Sequence, residues 1–78
     1  MPKFAKLIEL KEEEQVLLTI DFSDEDDVYE VSIRTDVNGM SASAKLGFKE
    51  EQKAKDMMKS YAPEDAKKFR EQMVVLLT

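Results

Sequence analysis

Tyr29-Glu30-Val31-Ser32-Ile33-Arg34-Thr35-Asp36-Val37-Asn38-Gly39-Met40-Ser41-Ala42-Ser43-Ala44-Lys45-Leu46-Gly47-Phe48 carries the strongest structural signal in the chain. At its centre stands Asn38-Gly39, the dipeptide that best accepts the two successive positive φ angles of a type I′ turn, and both flanks alternate apolar with polar residues. The stretch reads as a hairpin. Counting outward from a two-residue loop pairs Val37 with Met40, Thr35 with Ala42, Ile33 with Ala44, Val31 with Leu46 and Tyr29 with Phe48 on one face. Asp36 with Ser41, Arg34 with Ser43, Ser32 with Lys45 and Glu30 with Gly47 fall on the other. One register therefore sorts both strands into an apolar and a polar side, as a half-buried sheet requires.

Upstream, Val16, Leu18, Ile20 and Phe22 alternate with Leu17, Thr19 and Asp21, which predicts a strand over 16–22. Residues 3–10 predict another. The face of that first strand is ambiguous, because Phe4, Ile8 and Leu10 share one parity and Ala5 and Leu7 the other. Lys3, Lys6 and Lys11 suit an edge strand. The connections 11–15 and 23–28 are short and polar, so four sequential strands (3–10, 16–22, 29–37, 40–48) make an antiparallel meander.

Past Phe48 the period changes from two to about 3.6. Ala54, Met57, Met58 and Tyr61 form one stripe of a helix over 49–61, whose start lacks a good capping side chain. Pro63 ends it and opens a second helix over 63–77, with Glu64 and Asp65 in its first turn. There Ala66, Phe69, Met73 and either Leu76 or Leu77 are the expected buried stripe, and Lys67, Lys68, Arg70 and Glu71 are expected to face water. The alternative for residues 74–77 is a short fifth strand.

The sum is an α+β fold, ββββαα: a four-stranded antiparallel meander with two C-terminal helices packed on one face as a two-layer sandwich. With 78 residues it is one domain, 1–78. Ala42 and Ala44 on the core face leave room for a helix to approach, and the opposite face of the sheet stays open.

Composition removes most function classes. The chain has no cysteine, histidine or tryptophan, so disulfides, thiolate or imidazole metal ligands, and serine or cysteine nucleophiles activated by histidine are excluded. Neither GxGxxG nor GxxxxGK[ST] occurs. The net charge of -5 repels polyanions, and it is uneven: residues 1–36 carry 4 basic and 11 acidic groups, residues 37–78 carry 8 and 6. No apolar run approaches the ~18 residues of a spanning helix, and the first residues lack the apolar core of a signal peptide. A cytoplasmic protein without a membrane partner is expected.

Asp21-Phe22-Ser23-Asp24-Glu25-Asp26-Asp27 resembles a cation loop only in charge. It has no glycine at the sixth loop position of an EF-hand, and it reads as a solvated turn, as does Glu12-Glu13-Glu14. No metal and no cofactor are expected. A four-stranded sheet backed by helices can stack RNA bases when its exposed face carries aromatic side chains, but here the register turns Tyr29 and Phe48 inward, so no nucleic acid is expected.

What remains is surface. Leu17, Thr19, Ser32, Arg34, Ser41, Ser43 and Lys45 make a flat, mixed face suited to a protein partner or a second copy of the chain. The expected function is a small, non-catalytic protein-interaction or regulatory module acting through its open sheet face or an edge. The alternative is an acidic inhibitor in which Asp21, Asp24, Glu25, Asp26, Asp27, Glu30 and Asp36 mimic nucleic acid on a basic target. A further alternative, a small-ligand binder or minor enzyme, needs a pocket that a thin two-layer fold rarely contains. Homodimerisation is expected from the apolar C-terminal run Met73-Val74-Val75-Leu76-Leu77, since one helix buries only one stripe.

Overall fold

A computed structural model describes residues 4–11 and 14–77. Strands β1 (Phe4–Lys11), β2 (Glu14–Ser23), β3 (Val28–Val37) and β4 (Met40–Phe48) are followed by helices α1 (Glu51–Ser60) and α2 (Pro63–Leu77). The four strands form one antiparallel sheet in the order β1-β2-β3-β4, so the architecture is ββββαα with two C-terminal helices. Residues 74–77 continue α2 and form no fifth strand. Lys3, Glu12 and Glu13, and the side chain of Leu77, lie outside the described residues.

The hairpin register is the one that alternation and the Asn-Gly turn predict, from Val37 opposite Met40 to Tyr29 opposite Phe48. Asn38 (φ 52) and Gly39 (φ 79) occupy the left-handed region as a type I′ turn demands. At the other end of β3, Asp27 (φ 56) takes the same conformation in the acidic turn, which a short side chain able to bond locally tolerates.

The even-numbered residues of β1 face the helices. Ile8 is buried there and joins Val16, Leu18, Ile20, Val31, Ile33, Ala54, Met58, Ala66 and Phe69 in one cluster. α1 crosses β2, β3 and β4, and α2 lies against β1 and β3. Ala42 is buried and Ala44 half-buried, as small residues beneath a helix layer should be. Thr35, also inward, is 3% exposed and donates its hydroxyl to the Gln15 carbonyl at 2.8 Å. The buried polar group is thereby satisfied.

Lys6 shares the inner parity of β1, and its ammonium explains why. It donates to the carbonyls of Met58 at 3.1 Å and Tyr61 at 2.8 Å. A cation thus caps the C-terminus of α1, where unpaired carbonyls and the helix dipole favour positive charge. At the next helix start, the Asp65 carboxylate accepts from the Ala62 N–H at 2.9 Å, the returning half of a capping box.

Two expectations are corrected. Arg70 does not face water: its side chain is 16% exposed, with a guanidinium nitrogen 4.0 Å from Glu14 and another donating to the Asp36 carbonyl at 3.3 Å. The spacing Ala66, Phe69, Arg70, Met73 runs i, i+3, i+4, i+7, so Arg70 sits on the buried stripe itself. Leu46 faces the helix side yet is 44% exposed, because edge strand β4 extends beyond the helix layer. Of the two alternatives at the end of the stripe, Leu76 is 73% exposed, beside Val75 at 74%, and the side chain of Leu77 lies outside the described residues.

Candidate functional site: the open face of the sheet

The odd-numbered residues of β1 and their cross-strand partners form the face no helix covers. Two rows define its centre. Leu7, Leu17, Arg34 and Ser43 are successive partners across the four strands, and Ala5, Thr19, Ser32 and Lys45 are the next row. Leu17, Thr19, Ser32, Arg34, Ser41, Ser43 and Lys45 together line one open groove of about 360 Å³. These seven are the residues the sequence places on this face, and the sheet brings all of them together.

A second depression of about 260 Å³ adjoins it, lined by Leu7, Gln15, Leu17, Arg34, Thr35 and Asp36. Leu17 and Arg34 border both. The Arg34 guanidinium donates to the Ser41 hydroxyl at 3.0 Å, and that hydroxyl donates to the Asp36 carboxylate at 2.8 Å. The relay fixes a cation beside two leucines that are 52% (Leu7) and 37% (Leu17) exposed. Leu7 belongs to this surface although its strand's face is ambiguous in sequence. Its pairing with Leu17 is the signal that identifies it, once the β1–β2 register is known.

The acidic residues do not form one site. Asp21 and Glu30 face each other across β2 and β3, next to the turn that carries Asp24, Glu25, Asp26 and Asp27. Asp36 stands six residues along β3 from Glu30, about 20 Å at strand rise, and is engaged by Ser41. Among the described residues no group of three or more acidic side chains is placed to hold a metal ion.

A third depression lies elsewhere. It measures about 580 Å³ between the β1–β2 end of the sheet and α2, and is lined by Leu10, Lys11, Glu14, Arg70 and Val74 among others. Arg70 Nε is buried there with no hydrogen-bond partner among the described residues. Among the described residues no helix is long and apolar enough to cross a membrane. No protein-family model, no curated protein and no solved structure matches this chain.

Proposed function

We propose that this chain is a non-catalytic binding module of the cytoplasm that recognises a protein partner through the open face of its sheet. The observation that carries the reading is the pairing of a fixed cation with exposed apolar surface: Arg34, held by Ser41 and Asp36, beside Leu7 and Leu17. Arginine is enriched among the residues that dominate protein interfaces, one already hydrogen-bonded in place loses less side-chain freedom on docking, and contiguous exposed apolar surface beside it marks an interaction site. A cysteine-free chain suits a reducing compartment.

The test is affinity capture from the source cell with the wild-type chain, with Leu17→Asp/Arg34→Glu, and with Lys68→Glu on the far side of the molecule. A stoichiometric protein retained by wild type and Lys68→Glu but lost from the double variant supports the face. A basic, nucleic-acid-binding target that survives the double variant and is lost on neutralising Asp24, Glu25 and Asp26 would replace this reading with mimicry.

A further inference from the structure

The two edges of the sheet are built differently. β1 is guarded: Lys6 points inward, Lys11 stands near its end, and the register against β2 shifts between Glu9 and Lys11. Inward charges, lysines and bulges are the devices that keep an edge from pairing with another chain. β4 has no inward charge and no bulge, and its one lysine, Lys45, points to the open face. Its nine residues, Met-Ser-Ala-Ser-Ala-Lys-Leu-Gly-Phe, contain one charge and no proline, and they pair with β3 without a break.

We propose that the free edge of β4 docks a second copy of the chain, the two strands pairing antiparallel about a two-fold axis at Ser43. The hairpin determines which backbone groups are available. In a two-residue loop the flanking pair, Val37 and Met40, exchanges both hydrogen bonds, and such pairs alternate along the ladder. Met40, Ala42, Ala44 and Leu46 therefore turn their N–H and C=O groups toward β3. Ser41, Ser43, Lys45 and Gly47 present theirs at the edge.

Side chains then select the register. Centred on Ser43, each Met40 lies opposite the partner's Leu46 and each Ala42 opposite the partner's Ala44, all on the helix side. Met40 and Leu46 are the large apolar residues of β4 left exposed, at 49% and 44%, and this register alone sets them against each other. On the open side Lys45 falls opposite the partner's Ser41, whose hydroxyl holds Asp36. An ammonium and a carboxylate two strand spacings apart, about 10 Å between backbones, lie within joint reach of their side chains. The edge is complementary to itself, which favours a second copy over a foreign strand, and the two-fold gives a closed isologous pair. Because the axis is normal to the sheet, both open faces lie on one side and their grooves meet across it.

This inference rests on the binding-module reading and adds one partner to it, through the edge and not the face, so the two fail separately. Sedimentation equilibrium of the full chain up to about 100 μM, the range of a weak specific interface, should give a mass twice the 9.0 kDa of the chain. Met40→Lys and Leu46→Glu should each weaken association at least tenfold, and an equimolar mixture of the two should restore it by setting opposite charges across the axis. Both positions are exposed, so folding is spared, and circular dichroism checks this. Amide exchange needs no variant: the N–H groups of Ser41, Ser43 and Lys45 should slow as concentration rises. A monomer throughout, association that neither edge variant weakens, a mixture that stays dissociated, or exchange independent of concentration would overturn the proposal. Capture of a protein through Leu17 and Arg34 by a strictly monomeric chain would leave the functional reading standing and remove only the dimer.

Discussion

Arg70 and Tyr61 show how single residues answer to the packing around them. Arg70 extends from the buried stripe of α2 with its Nε unpaired and its two polar contacts long, at 4.0 Å to Glu14 and 3.3 Å to the Asp36 carbonyl. A buried donor left unsatisfied costs about 1–3 kcal/mol, and apolar groups of similar shape are often as good or better in such places. Arg70→Met is therefore expected to be neutral or to stabilise by about 1 kcal/mol, measured by urea denaturation; a loss above about 2 kcal/mol would make the arginine a structural keystone. Tyr61 offers a pH test. Burial, and then the neighbouring Asp65 carboxylate, push its phenol above the usual tyrosine value. The folded chain holds that proton more tightly than the unfolded one. Stability from this source is complete below pH ~10 and falls as pH rises through the window between the two values. Tyr61→Phe removes the effect, so the denaturation midpoint of wild type should decline relative to the variant above pH ~10. A constant difference from pH 8 to 11 would show that the phenol is no more protected in the fold than out of it.

Elements differ in how openly the sequence announces them. The β3–β4 hairpin is legible to the residue, because a period of two and a turn dipeptide with one compatible loop length leave a single register that segregates both strands. Its turn carries a direct prediction. Gly39 has φ 79, a conformation that costs a residue with a Cβ about 1–2 kcal/mol. Gly39→Ala should lower the thermal midpoint by about 4–16 °C for a domain of this size, read by circular dichroism; an unchanged midpoint would mean that the turn relaxes to another type. The face of β1 is less legible, since Lys6 interrupts the apolar parity for a reason only α1 supplies: two terminal carbonyls, of Met58 and Tyr61, that need a donor. Arg70 is obscure for the opposite reason. Its place at i+4 from Ala66 is visible in the spacing, but its charge points to water.

Across the whole molecule, periodicity tells which way a side chain points and not what lies above it. Leu46 and Ile33 both face the helices, yet one is 44% exposed and the other 5%, because lateral coverage depends on where two helices settle over four strands. The open face was legible as a set of residues. The fixing of Arg34 was not, since it arises from a hydroxyl and a carboxylate that meet only once β3 and β4 are paired. The same contrast governs stability. One apolar cluster supports the fold, and a domain this small keeps a net stability of only about 3–5 kcal/mol. Truncating Ile33 to alanine removes buried methyl groups and leaves a cavity beneath a helix, for about 2–5 kcal/mol, whereas Ile33→Val costs about 0.5–1.5 kcal/mol. Ile33→Ala should thus be largely unfolded at 25 °C and Ile33→Val folded. Leu46→Ala, on the same face but beyond helix cover, should cost less than about 1 kcal/mol. Urea titrations of the three variants measure the series, and equal losses at Ile33 and Leu46 would mean that the helix layer reaches the edge of the sheet after all.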